Sequence, residues 1–325
     1  MKKQIALMVC AAMALTVVTG CSSNSSNTDA AQESTIAVTQ EATTEATEAT
    51  AAATEVAETE PTAVGEVVSI ENNGHEIPGI LTMPENVAEG EKVPAVVMLH
   101  GTGSNKDEAG NGYVLMADAF AKAGIASLRI DFMGTGDSKV DYSEYCNTTA
   151  VSDAAAAGDF LAKQEGIDPE RIGIMGWSQG GTDALLTAAE HEQFKSVLTW
   201  AGAMDLGNLL TDEMYEEAKK NGSAVMEFDW REPLNLGLQW MEEVKSMDMN
   251  EVVSRIKAPI LAISGSEDTV VPPENGKTIA ELSANDASKH VVIEGGDHTF
   301  GIFGEDHTVF NQLMDQTAQW FADTL

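Results

Sequence analysis

Three residue types in this chain, far apart in sequence, are suited to one piece of chemistry. Ser178 lies in Gly176-Trp-Ser-Gln-Gly-Gly181, a G-x-S-x-G pattern. A serine hydroxyl is a weak nucleophile at neutral pH and needs a general base, which in turn needs an orienting carboxylate. Asp268, in Gly265-Ser-Glu-Asp-Thr-Val-Val-Pro272, and His298, in Gly295-Gly-Asp-His298, supply them in the chain order serine, acid, histidine. Acyl transfer also needs two N–H donors for the oxyanion. The backbone of Gln179, directly after the serine, is one. The backbone of Thr102, in His100-Gly-Thr-Gly-Ser104, is the other.

A bare G-x-S-x-G also occurs as a chance turn, so its surroundings decide its meaning. Here Arg171-Ile-Gly-Ile-Met175 reads as a buried strand entering the motif, and Thr182 to Glu190 reads as a helix leaving it. A strand-to-helix turn this sharp strains the serine backbone. Flanking glycines let the two elements approach closely.

The competing residues read as structural. Glu267 and Asp297 adjoin the chosen acid and base as turn or supporting residues. His307 starts the last helix, His75 lies in a turn, His191 near a helix end and His290 at a strand start. His100 shapes its loop. Cys146 has no CxxC or histidine cluster beside it and reads as a buried thiol. Asp131-Phe-Met-Gly-Thr-Gly-Asp-Ser138 lacks the full G-x-G-x-x-G spacing of a nucleotide site. No metal or other cofactor is implied, because no H-E-x-x-H spacing occurs.

The elements that must position these residues alternate. Two apolar runs, 65–70 and 77–82, flank Asn-Asn-Gly as a β-hairpin. Strands then follow at 93–99, 125–130, 172–175, 196–200, 259–264 and 290–293. Helices are expected at 113–123, 150–164, 182–190, 274–282 and 307–321. Near-continuous Val/Ile/Leu strands alternating with helices predict an α/β domain, with a mostly parallel central sheet covered on both faces. Reactive groups in such sheets collect beyond the carboxyl ends of the strands, where all three chosen side chains fall.

Composition divides the chain. Lys2 and Lys3 precede the apolar run Ile5 to Val18, shorter than the roughly 18–20 residues that span a bilayer, so residues 1–20 read as an export signal. The run ends in Val-Thr-Gly-Cys21, which resembles a bacterial lipobox. That resemblance implies lipidation of Cys21 and anchorage at the outer face of the cytoplasmic membrane, or the periplasmic side of a membrane. Residues 21–62 are rich in Thr, Glu and Ala, carry acidic but no basic residues, and read as a disordered tether. Residues 63–325 form the folded domain. The formal net charge of −34 argues against a nucleic-acid partner.

Residues 203–253 interrupt the alternation. This insertion carries Met204, Met214, Met226, Met241, Met247 and Met249 with Trp230 and Trp240. It reads either as a small helical subdomain with its own core or as a lid whose thioethers line an adaptable acyl pocket.

With these segments placed, the chain resembles the serine α/β-hydrolase superfamily over nearly all of 64–325. The resemblance rests on His-Gly-Thr-Gly at 100–103, Asp-Phe-Met-Gly-Thr-Gly-Asp-Ser at 131–138, Gly-Trp-Ser-Gln-Gly-Gly at 176–181, Gly-Ser-Glu-Asp-Thr-Val-Val-Pro at 265–272 and Gly-Gly-Asp-His at 295–298. Within it, the chain is similar to bacterial carboxylesterases of the cinnamoyl/feruloyl esterase type, which carry a short helical insertion over the site. The resemblance implies an α/β-hydrolase fold with a helical lid and small-molecule ester substrates, hydroxycinnamate esters among them. The insertion departs from the family pattern, so the acyl group is not specified. A serine peptidase of the same fold, of aminoacyl or dipeptidyl type, is the competing reading. A non-catalytic ligand-binding lipoprotein is a third.

Overall fold

The structure, a computed structural model, describes residues 65–325 except Asn86, Asp229 and Trp230. The expected signal, Cys21 and the tether lie outside the described residues, as does Trp230 of the insertion.

Strands β1 (Glu66–Asn72) and β2 (His75–Thr82) pair antiparallel, with Asn72 opposite His75. The two turn residues, Asn73 and Gly74, have φ of 48° and 85°. A two-residue hairpin turn that follows the right-handed strand twist needs this left-handed pair. Strands β3 (Val93–Leu99), β4 (Ala126–Ile130), β5 (Ile167–Trp177) and β6 (Phe194–Trp200) follow. Two short strands, β7 (Ser223–Met226) and β8 (Leu234–Gly237), form a separate antiparallel ribbon. Strands β9 (Ile260–Gly265) and β10 (Lys289–Ile293) complete the main sheet. Its order is β1-β2-β4-β3-β5-β6-β9-β10, and it is parallel from β4 onward.

The helices are α1 (Gly112–Lys122), α2 (Asn147–Leu161), α3 (Gln179–Glu190), α4 (Asp212–Asn221), α5 (Leu238–Ser246), α6 (Met249–Arg255), α7 (Glu274–Leu282) and α8 (Thr308–Thr324). Helix α1 packs with α8 over one face of the sheet, and α2, α3, α6 and α7 pack in succession over the other. Covered on both sides, β3 and β4 bury nearly every residue. That explains why they read as unbroken apolar runs. This is the α/β-hydrolase fold, as expected.

After β3 the chain crosses to β4 on one side and returns to β5 on the other. The crevice beyond the carboxyl ends of β3 and β5 is therefore the topological switch point, where open α/β sheets bind ligands.

The insertion is not purely helical, which corrects the expectation. The ribbon β7–β8 sits between α4 and α5. Ser223-Ala-Val-Met226 alternates in burial, as a strand with one covered face must. Four residues per strand are too few for that period to stand out in sequence. Helix α4 ends cleanly because Gly222 takes the left-handed C-cap, with φ 87°, and its N–H bonds Ala218. Helix α6, the last part of the insertion, packs against α3 and α7 and so joins the helical layer of the sheet. Met226, Met241, Met249 and Trp240 are buried with the core, so these four serve packing. Met204, Met214 and Met247 are only half-buried against it.

Candidate active site

The turn between β5 and α3 is a single residue long. Ser178 stands there alone, with φ 55° and ψ −118°. A non-glycine residue in that region stores on the order of 1–3 kcal/mol of strain. The surrounding packing imposes it. A Cβ on Gly176 would overlap the carbonyl of Gly180, and a Cβ on Gly180 would overlap the carbonyls of Leu99 and His100. The Ser178 N–H donates to Trp200 O at 2.8 Å, while its carbonyl accepts from Gly181 and Ala203. The main chain is thus pinned on both sides, and the hydroxyl projects from the elbow.

His298 Nε2 lies 3.1 Å from Ser178 Oγ, and His298 Nδ1 lies 2.8 Å from Asp268 Oδ2. The other oxygen, Asp268 Oδ1, accepts the backbone N–H groups of Val270 and Val271, both at 2.8 Å. The Asp268 side chain is fully buried, while the imidazole is about one-fifth exposed. With the carboxylate accepting from Nδ1–H, Nε2 carries a lone pair aimed at the serine. Two contacts hold the loops in place. Gly265 abuts the carbonyls of Gly296 and Asp297, and Trp177 Nε1 donates to His298 O at 3.1 Å. Trp177 itself rests in an aromatic cluster with Tyr113, Trp200, Phe300 and Phe310.

The loop after β3 lies against the elbow. A Cβ on Gly101 would stand 3.4 Å from Ser178 Cβ. Glu108 organises this loop: its carboxylate accepts from Gly101 N–H, from Ser104 Oγ at 2.7 Å and from Ala109 N–H at 2.8 Å. The Gly101 N–H is thereby occupied. The Gln179 N–H, at the first position of α3, has no acceptor within its own helix. His100 is buried and neutral in this network. Its Nε2 accepts from Phe132 N–H, its Nδ1 donates to Gly101 O, and burial lowers its pKa.

Several residues that hold the site carry no sequence signal of their own. Lys106 Nζ pairs with Asp131 at 2.7 Å and Asp137 at 2.8 Å, and Asp131 also accepts Lys106 N–H and Asp137 N–H. This pair joins the β3 loop to the 131–138 loop. Thr102 Oγ1 donates to Gln179 Oε1 at 2.7 Å, and Gln179 Nε2 donates to Tyr145 Oη. Tyr145 Oη donates to Asp183 Oδ2 at 2.7 Å, and Asn147 Nδ2 donates to Asp183 Oδ1 at 3.2 Å. Burial pushes the Asp183 carboxyl up to about 7. From the insertion, Arg231 Nη1 donates to the carbonyls of Thr102 and Gly103. Asp183 is the one charged residue of α3 before the terminal Glu190, the hint the sequence offers.

The remaining sequence candidates lie elsewhere or play supporting parts. Glu267 is exposed and its N–H donates to Gly296 O. Asp297 Oδ1 accepts from Thr299 and Gly301, as a turn residue does. His75 pairs with Asp153 at the hairpin, His290 contacts Ser264, His191 caps α3 and His307 precedes α8. Cys146 is buried at the start of α2, and burial raises its pKa. Among the described residues, no group of three or more His, Cys, Asp or Glu converges as a metal site. No helix among them is long and apolar enough to cross a membrane.

A sequence model of the prolyl oligopeptidase family matches residues 113–325. The 2,6-dihydropseudooxynicotine hydrolase of Paenarthrobacter nicotinovorans is 29% identical over 238 residues, covering 71% of this chain and 58% of that protein. An uncharacterized 31.7 kDa protein from the traX–finO intergenic region of Escherichia coli is 26% identical over 286 residues, 76% of this chain and 97% of its own. The acylamino-acid-releasing enzyme of Mus musculus is 25% identical over 203 residues, 61% of this chain and 27% of that protein. Among solved structures, Est1E from Butyrivibrio proteoclasticus with ferulic acid bound superposes with a TM-score of 0.63 at 21% identity. It covers 79% of this chain and 98% of that one.

Proposed function

The chain belongs to the prolyl oligopeptidase family of serine hydrolases with the α/β-hydrolase fold, and on that premise we propose that it cleaves carboxylic esters through an acyl-enzyme on Ser178. The observation that carries this reading is the unbroken hydrogen-bonded path from Ser178 Oγ through His298 to the buried Asp268. In the reaction, Ser178 Oγ attacks the ester carbonyl and His298 Nε2 takes its proton. Asp268 stabilises the imidazolium without taking a proton itself. The N–H groups of Gln179 and Thr102 meet the negative charge as it develops on the carbonyl oxygen. The imidazolium then protonates the departing alcohol, and a water activated by the same histidine releases the acid.

The ferulic-acid-bound neighbour supports an ester substrate. One observation favours a second reading, a peptidase: the matching family and the acylamino-acid-releasing relative act, by their names, on peptides or acylated amino acids. Reactivity separates them. The ester reading expects rapid turnover of p-nitrophenyl esters and little of aminoacyl p-nitroanilides; the reverse ranking would establish the peptidase. A fluorophosphonate probe should label Ser178 in either case, and failure to label folded protein would favour a non-catalytic binder. The sequence at Cys21 supports lipid anchorage outside the cytoplasm. Metabolic labelling with a palmitate analogue, lost in Cys21→Ser, is the corresponding measurement.

A further inference from the structure

The two residues whose N–H groups face the oxyanion in the reading above come from segments 77 positions apart. Their side chains are bonded directly to each other, Thr102 Oγ1 to Gln179 Oε1 at 2.7 Å. We propose that the Gln179 side chain is a positioning residue, which fixes the spacing of the two oxyanion donors and is itself held rigid by Tyr145 and Asp183.

The loop bearing Thr102 is held by Glu108 at Gly101 and Ser104 and by Arg231 at the Thr102 and Gly103 carbonyls, and Gln179 adds the bond to the residue next to Ser178. The loop has glycine on both sides, and Gly103 adopts a positive φ of 58°. A loop places its N–H accurately against the nucleophile when a bond ties the two together. Gln179 does so from the residue next to Ser178. Every bond in the chain runs in one direction: Thr102 hydroxyl to Gln179 amide oxygen, Gln179 amide nitrogen to Tyr145 oxygen, Tyr145 hydroxyl to Asp183 carboxylate. Gln179, Tyr145 and Asp183 are buried, so the inner two links of the chain are shielded from water. Asp183 sits one turn beyond Gln179 on the same helix, so the chain closes on the element that carries the elbow.

The inference rests on the serine-hydrolase reading and separates from it experimentally. The measurements are kcat and KM for a p-nitrophenyl ester and the Ki of a trifluoromethyl ketone, which forms a tetrahedral adduct with serine. Thr102→Val and Gln179→Met each keep the backbone N–H and remove the side-chain bond. Each should lower kcat about tenfold, less than the 10²–10³ lost when a donor is deleted outright, with KM within about twofold. The Ki of the ketone should rise by the same factor as kcat falls. The double variant should be no worse than the weaker single one, because both remove one shared bond. Tyr145→Phe keeps the packing, frees the Gln179 amide and should move kcat in the same direction, which tests the relay even if Gln179→Met folds poorly. Multiplicative losses in the double variant, or a rise in KM with kcat intact, would overturn the inference while leaving the hydrolase standing. A wild-type protein unlabelled by fluorophosphonate would remove the reading on which it rests, and the inference with it.

Discussion

The imidazole Nε2 of His298 stands 3.1 Å from the hydroxyl of Ser178 across 120 residues of sequence. Neither side chain reaches the other by local folding. Two adjacent loops, a buried carboxylate and a tryptophan bond to the histidine carbonyl bring them together.

Substituting Ser178→Ala should abolish fluorophosphonate labelling and reduce ester turnover by at least about 10³. Because alanine and serine carry the same Cβ and tolerate this backbone about equally, the fold should be retained. An unchanged thermal melt alongside lost turnover is the expected pair of results.

Asp268→Asn replaces an acceptor facing His298 Nδ1 with an amide. The remaining oxygen would keep the Val270 and Val271 N–H bonds, so the amide N–H₂ faces the ring and forces the wrong tautomer. Turnover should fall by about 10³–10⁴ with the structure intact. A loss below tenfold would mean that Asp268 does not orient the base.

Asp183 gives a pH signature in stability. Its carboxyl ordinarily titrates near 3.8, and burial pushes it up to about 7, with Glu243 acting in the same direction and the Tyr145 and Asn147 bonds opposing. Between about pH 4 and 7 the folded chain holds this proton and the unfolded chain does not. Stability therefore falls as pH rises through that window and levels off above it, by on the order of 4 kcal/mol if the shift is fully expressed. Asp183→Asn should remove this dependence. Asn147 Oδ1, buried and unpartnered, becomes available to the new amide once the Asn147 amide rotates. Urea unfolding of both proteins across pH 4–8 checks it.

Lys106→Met tests a residue that sequence reading passed over. It leaves Asp131, whose side chain is fully buried, without its cation. Removing one partner of a buried pair costs about 3–5 kcal/mol. Partial rescue in Lys106→Met/Asp131→Asn, measured by urea unfolding, is expected if the pair is the cause.

Gly176→Ala puts a methyl group into the Gly180 carbonyl, where no side chain can yield. The variant should lose several kcal/mol of stability and labelling of Ser178 together. Gly74→Ala, which meets no atom within 4 Å, strains only a hairpin turn. It should leave labelling intact, and the contrast localises the effect to the elbow.

Outside the insertion, the order of strands and helices was legible in the sequence of the folded domain, because buried parallel strands read as short continuous Val/Ile/Leu runs alternating with helical segments. The sequence also singled out Ser178, Asp268 and His298, since each follows a strand end in a short glycine-marked loop. The β7–β8 ribbon escaped it because four-residue strands carry too little periodicity. Tertiary structure alone decided what holds the site: Lys106 on Asp131, Glu108 on Gly101, Gln179 between Thr102 and Tyr145, and Arg231 on the Thr102 and Gly103 carbonyls. These partners are joined across loops by burial and hydrogen bonding. Pairings of that kind follow from where the sheet delivers each loop, which no local pattern of residues records.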